Sequence, residues 1–241
     1  MTRFWIEPEW PAPPGVRAAS TLRRGGVSIG PYRSLNLGTH VGDDPDRVAE
    51  NRRRLRDALN LPSDPVWLNQ VHGNRAIPAD VSSDRSADAV FAHGSGVVCA
   101  VMTADCLPVL LCSREGDRVA AVHAGWKGLA AGVIEAAVES LEGGDLLAWM
   151  GPAIGPDAFE VGHEVRETFV RKRAAFAEAF RETGNAKWLA DLYGLARIVL
   201  NDAGVSAVYG GGFCTFGNAE DFFSYRRDRV TGRMATLIWR E

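Results

Sequence analysis

Residues 97–124, VVCAVMTADCLPVLLCSREGDRVAAVHA, decide how this chain folds. Three apolar runs, at 97–102, 108–112 and 118–123, are each too short for an ordinary helix and are bounded by polar or glycine-bearing segments, so they read as strands. Arg114-Glu115-Gly116-Asp117 separates the last two and predicts a hairpin. In such a hairpin, facing residues carry numbers that sum to about 231, which follows from register across the turn. Cys106 and His123 then meet at its open end.

Outward from the hairpin the pattern changes period. Gly125-Trp126-Lys127-Gly128 leads into a helix over 129–141, ended by Gly143-Gly144, and 146–150 returns to strand. Helices are expected over 164–182 and 186–202, the second closed by Gly204, followed by strands at 205–209 and 234–239. Upstream, Asp44-Pro45 opens a helix with Val48, Leu55 and Leu59 on one face, running through Leu61 until Pro62 stops it. Strands and helices interleave around a central hairpin, which favours an α+β fold with mixed sheets over a doubly wound one. No linker or internal repeat divides the 241 residues, so one domain over 1–241 is expected.

The charge balance, 27 basic against 30 acidic residues, exerts no long-range pull toward nucleic acid or an anionic membrane. No window approaches the ~20 apolar residues that cross a bilayer. Residues 1–14 lack the basic start and apolar run of a secretory signal. A soluble, cytoplasmic protein is expected. Three of the four cysteines crowd into one apolar segment, which suits buried thiols better than a disulfide framework.

Cys106 differs from Cys99 and Cys112 because it follows Asp105 at a strand edge. A thiolate and an imidazole converging at a hairpin mouth bind zinc or copper, or act as nucleophile and base; spacing does not choose between these. His72, in Leu68-Asn69-Gln70-Val71-His72-Gly73, stands where a strand edge enters a turn and would supply a third donor. Two His and one Cys leave the fourth tetrahedral position of zinc open, as in catalytic sites. A histidine at a strand end and a cysteine beside an apolar strand usually just pack. What raises the functional reading is that Thr103-Ala104-Asp105-Cys106 and His123-Ala124-Gly125-Trp126-Lys127-Gly128 are polar, glycine-bearing segments at strand ends.

Gly125 and Gly128 would let the chain turn tightly into the next helix, whose free N–H groups with Lys127 either receive a phosphate or form a simple turn. Phe222-Phe223-Ser224-Tyr225-Arg226-Arg227-Asp228 combines rings and cations, as a stacking and anion-contact surface would, although ordinary edge packing is an equal reading. Arg52 lies in an arginine-rich stretch that is by default a solvated face. His40, His93 and His163 have no comparable partners and are read as non-functional.

These segments together resemble the YfiH-like family, long called laccase-domain or polyphenol oxidase proteins and now described as purine nucleoside phosphorylases. The resemblance runs through Gly25-Gly26-Val27-Ser28, Ser34-Leu35-Asn36-Leu37, His40-Val41-Gly42-Asp43, Asn51-Arg52, Asn69-Gln70-Val71-His72-Gly73, Thr103-Ala104-Asp105-Cys106-Leu107-Pro108, His123-Ala124-Gly125-Trp126, Gly151-Pro152-Ala153-Ile154-Gly155 and Phe223-Ser224-Tyr225-Arg226-Arg227-Asp228. It implies an α/β/β/α sandwich and a zinc centre, copper in older descriptions, held by His72, Cys106 and His123. It also implies phosphorolysis of adenosine, inosine, guanosine and methylthioadenosine, together with adenosine deamination, for which the working expectation is a zinc-held water that attacks C6 of adenine. Candidate substrate contacts are Asn36, Arg52, Lys127 and Arg226, with nucleoside and phosphate as partners and a monomer or homodimer as the assembly. Leu22-Arg23 stands where the family has Thr-Arg, and Asp157 and Ala158 replace its cysteines. Three alternatives remain: a metal-free Cys-His hydrolase editing peptidoglycan precursors, a copper-dependent polyphenol oxidase, and a binding module that zinc merely staples. Five histidines are few for a multicopper site.

Overall fold

The computed structural model describes residues 3–80 and 84–241. The described chain runs β1 (Trp5–Ile6), β2 (Val16–Thr21), α1 (Pro45–Leu59), β3 (Ala76–Pro78), β4 (Ala89–His93), β5 (Val98–Thr103), β6 (Leu107–Ser113) and β7 (Arg118–Ala124). It continues through α2 (Trp126–Ala131), α3 (Val133–Ser140), β8 (Leu146–Met150), β9 (Glu160–Gly162), α4 (His163–Val170), β10 (Phe180–Gly184), β11 (Lys187–Ala190), α5 (Leu192–Asp202), β12 (Ala207–Gly210), α6 (Tyr225–Asp228) and β13 (Met234–Arg240). The β6–β7 hairpin forms in the expected register, with Leu107 opposite Ala124 and Pro108 opposite His123.

That hairpin is the middle of a six-stranded mixed sheet ordered β12-β8-β6-β7-β4-β3, in which the edge strands β12 and β3 run parallel to their neighbours β8 and β4 and the interior strands pair antiparallel. A second sheet, β1-β2-β13-β5, is antiparallel throughout. Strand alternation explains why the two stack. Leu107, Val109 and Leu111 of β6 join a core with Leu129, Val133, Ile134 and Leu195 from the helices, whereas Leu110 and Cys112 join Cys99 and Val101 of β5 and Ile238 of β13. The outer face of the second sheet, through Ala100, Ala235 and Leu237, packs against Leu55 and Leu59 of α1. Three apolar layers therefore separate four layers of structure, helix, sheet, sheet, helix, which is the sandwich implied by the family resemblance.

The helix starting at Asp44 begins as read, the Asp44 carboxylate accepting from the N–H groups of Asp46 and Arg47 with Pro45 in the first turn, but it ends at Leu59 rather than Leu61, because Asn60 takes the left-handed region. Elsewhere the structure corrects the sequence. The helix expected over 129–141 begins at Trp126 and breaks at Gly132, whose φ of +98° splits it into α2 and α3. The helix expected over 164–182 ends at Val170; a 3-10 turn at Ala174–Ala179 brings Phe176 and Phe180 against Phe169, and β10 follows. The helix expected from 186 begins at Leu192, because Asn185 and Ala186 take positive φ in the β10–β11 turn and Asp191 caps α5 by accepting from the Tyr193 N–H. The strand expected from 205 starts pairing at Ala207.

Candidate metal centre

By strand alternation His123 shares the face of Val119 and Ala121, so it points into the layer between the two sheets, at that layer's open end. Cys106 stands just before β6, diagonal to it across the hairpin. The turn carrying Cys106 is fixed from three sides. Asp105, at φ 95°, accepts from Thr215 Oγ1 at 2.6 Å and from the Arg226 backbone N–H at 2.6 Å, and its carbonyl accepts from the Ile154 N–H at 2.9 Å.

His72 arrives from a different direction. Gln70 docks on the end of β5 by donating to the Met102 carbonyl at 2.8 Å and accepting from the Met102 N–H at 2.7 Å. The next three backbone N–H groups, of Val71, His72 and Gly73, converge at 3.3, 2.9 and 2.7 Å on the carboxylate of Asp88. Asp88 is fully buried, and it also accepts from His123 Nδ1 at 2.8 Å. One carboxylate thus orders the His72 loop and the His123 ring together. Sequence reasoning missed it, although an acid set between Ala87 and Ala89-Val90 is a signal, since a buried carboxylate requires partners.

His72, Cys106 and His123 meet with their donor atoms within 4.8 Å of one another. Cys106 Sγ is 3.9 Å from His72 Nε2, and the two imidazoles lie edge to face with centroids 4.8 Å apart. Burial alone would raise the Cys106 thiol, but the charge and hydrogen bond of His123, with help from His72, bring it down to about 6. Burial would lower His123, yet the Cys106 thiolate and Asp88 outweigh it and raise the imidazole to about 9. Burial likewise opposes ionisation of Asp88, and its bonds from His123 and the backbone of Gly73 and His72 more than offset this, holding it below the usual range.

This donor set fits a borderline-soft ion such as zinc: two imidazoles, one thiol inclined to ionise, and Asp88 fixing the Nδ1 proton of His123 so that Nε2 is left to bind. Gly125 makes the approach possible. It has φ −63°, so the left-handed freedom of glycine is not what the turn uses; a Cβ there would stand 2.9 Å from Cys106 Sγ and 3.2 Å from His72 Cδ2. Gly128 is needed for space in the same way, since a Cβ there would stand 2.8 Å from the Gly73 carbonyl oxygen.

The other sequence candidates are placed differently. Asn36 is fully buried; it donates to the Gly38 carbonyl and Asp43 and accepts from the Gly38 and Arg233 N–H groups, which leaves it no surface for a substrate. Arg52 is no solvated face: it donates twice to the Leu37 carbonyl, stacks 4.1 Å over Trp67, and is lowered to about 10 by burial. Lys127 is exposed at the start of the six-residue α2, beside Trp126. Arg226 donates to the Glu160 carbonyl and stacks over Phe159. His163 pairs with Glu167 and His93 contacts the Ser140 carbonyl. His40 is lowered from its ordinary value, by burial first and then by the charges of Arg233, Arg52, His123 and His72.

Known proteins share this framework. Residues 17–241 match the family described as multi-copper polyphenol oxidoreductase laccase. A purine nucleoside phosphorylase of Pseudomonas aeruginosa is 56% identical over 98% of this chain and 98% of its own. The purine nucleoside phosphorylase YfiH of Escherichia coli is also 56% identical, over 97% and 98%. Among solved structures, a Neisseria meningitidis protein superposes with a TM-score of 0.96 at 47% identity, covering 99% of this chain and 100% of that one. YlmD from Geobacillus stearothermophilus gives 0.90 at 33% identity, covering 100% and 97%. With that identity along almost its whole length and the sandwich in common, the chain belongs to the YfiH-like, laccase-domain family.

Proposed function

We propose that this chain is a metal-dependent purine nucleoside phosphorylase in which residues 1–241 act as one catalytic unit and His72, Cys106 and His123 hold zinc, copper being the alternative ion. The observation that carries this reading is the convergence of the three donors at the rim of a buried layer, with Asp88 behind them, in a chain whose relatives bear that name. When bound, the ion supplies a Lewis acid beside the substrate. Asp88 holds the proton on His123 Nδ1, keeping the ring in one tautomer and orientation. Gln70 and Asp105 fix the two segments that bring His72 and Cys106 to it. Purine nucleosides and phosphate are the substrates in this proposal, adenosine, inosine, guanosine and methylthioadenosine among them, with deamination of adenosine a second reaction. Tyr225, half exposed on the segment that Asp105 anchors, offers a ring for the purine. The four free cysteines suit the reducing cytoplasm, and no helix of the described residues is long and apolar enough to cross a membrane.

The test is product analysis of adenosine incubated with and without phosphate, using intact, chelated and Cys106→Ala protein. Adenine with ribose 1-phosphate, or inosine, formed by the intact protein and lost in the other two, is the expected result. A second reading has its own observation: Cys106, His123 and Asp88 in series also resemble a nucleophile, base and orienting acid. It requires full hydrolysis of an amide, such as one in a cell-wall precursor, after chelation. The copper oxidase is disfavoured because, among the described residues, this is the one cluster of three such donors, and multicopper chemistry needs several.

A further inference from the structure

Arg233 precedes β13, whose first pair joins Met234 to Thr103 at the end of β5, so it stands beside the turn that delivers Cys106. Its backbone is fixed: the N–H donates to Asn36 Oδ1 at 2.9 Å and the carbonyl accepts from the Leu37 N–H at 3.1 Å. Its side chain lies against Gly38, where a Cβ would come within 2.8 Å of Arg233 Cγ. Nη1 donates to the Thr231 and Gly232 carbonyls at 3.1 and 3.0 Å. Among the described residues no carboxylate comes within 4.0 Å of this half-buried guanidinium, and Nε and Nη2 donate to no protein acceptor. Burial pulls the guanidinium below its ordinary pKa, and the charges of Cys106, Asp105, Tyr225 and Tyr32 act in the opposite sense. The nearby Asp105 carboxylate is already occupied by Thr215 and the Arg226 N–H.

The contrast with the other arginines is specific. Arg227 and Arg118 face carboxylates, Arg52 is stacked on Trp67, and Arg226 on Phe159. Of these, Arg226 also has Nε and Nη2 free of protein acceptors, but its guanidinium is committed to Phe159 and the Glu160 carbonyl, whereas Arg233 keeps its open edge beside the turn that delivers Cys106. A half-buried cation without an anionic partner is costly, and a fork of N–H donors matches an oxyanion in two bonds at once.

We infer that Arg233 is the binding position for the phosphate co-substrate, holding it beside the metal centre through Nε and Nη2. This rests on the phosphorylase reading. In the reaction an oxygen of hydrogen phosphate forms a bond to C1′ of the nucleoside, the C1′–N9 bond breaks with its electron pair on the purine, and the phosphate proton ends on the departing base. The products are free base and ribose 1-phosphate, and no oxidant or reductant enters.

The experiment is calorimetric titration of inorganic phosphate into metal-loaded and chelated protein at fixed ionic strength, with steady-state kinetics against phosphate and inosine. The variants are Arg233→Gln, Arg233→Lys and, as a surface control, Arg53→Gln, with circular dichroism and metal content measured for each. Arg233→Gln is expected to weaken phosphate binding and raise the phosphate KM at least tenfold, with the inosine KM within twofold and metal content unchanged. Arg233→Lys should recover part of the loss, and Arg53→Gln should match the wild type. Phosphate affinity within twofold of wild type in folded Arg233→Gln overturns the inference. So does joint loss of metal and phosphate binding that lysine does not restore, which marks a structural brace. Wild-type protein that binds phosphate through Arg233 yet makes no ribose 1-phosphate removes the phosphorylase reading and leaves the anion site standing. Phosphorolysis with an unchanged phosphate KM in the variant removes the anion site alone.

Discussion

Asp88 organises the candidate centre, because four N–H donors from two separate segments end on its two oxygens. Replacing it with Asn keeps the shape but removes the charge and one acceptor oxygen. Asp88→Asn is expected to lower metal affinity about 10- to 100-fold and destabilise the metal-free protein by about 3 kcal/mol. Chelator competition and urea titration check the two effects. A variant binding metal within twofold of wild type would deny Asp88 its orienting role. The Cys106–His123 pair makes a pH prediction for the metal-free protein. A thiol lowered to about 6 adds stability that is present above its unfolded value and lost as pH falls through 6. An imidazole raised to about 9 adds stability that is present below its unfolded value and lost as pH rises through 9. Between the ordinary imidazole value and 9 the two contributions change in opposite directions and nearly cancel, so the melting temperature of chelated protein should stay almost level across that range, and a steep pH dependence there would deny the pair its mutual charge. A metal must displace the His123 proton in this window, so apparent affinity should rise with pH, by about tenfold per unit for one proton.

At the scale of elements, the β7–α2 junction decides how closely the ligands approach. Gly125 has an ordinary φ, so Gly125→Ala adds no backbone strain and acts only through the methyl group that meets Cys106 and His72. We expect a folded protein whose metal affinity drops at least about tenfold, as ligand geometry is disturbed. Native circular dichroism with unaltered metal titration would show that the turn yields without cost. The break at Gly132 makes the opposite case. There φ is +98°, and Gly132→Ala should lose about 1 kcal/mol through strain at a left-handed position. Its metal stoichiometry should stay intact, as read by denaturation and metal analysis.

Across the whole molecule, the centre lies at the rim of the layer between two sheets, and that layer determines whether a site exists at all. Leu110 is fully buried there on β6. Leu110→Ala is expected to cost about 2–5 kcal/mol by leaving a cavity. Metal stoichiometry should hold until the urea transition, so that stability and binding separate; metal loss well before unfolding would show that the rim depends on exact packing.

What the sequence determined by itself was local. Apolar runs, a four-residue turn and the parity of strand residues were enough to place Cys106 and His123 together, since hairpin register is a matter of counting along adjacent segments. The capped helix α1 was legible for the same reason. Residues 164–190 misled because aromatic and alanine spacing is compatible with a helix, while the packing of Phe169, Phe176 and Phe180 favours a 3-10 turn and the β9–β11 sheet. His72 was readable only as a candidate, because the bonds that aim it run to Asp88 and Met102, far along the chain. Only the tertiary structure decided the role of Asp88, the confinement of Asn36 and the half-burial of an Arg233 guanidinium that meets no carboxylate among the described residues. Each depends on which distant segment a buried polar group meets, and desolvation makes that meeting obligatory without the local pattern naming the partner.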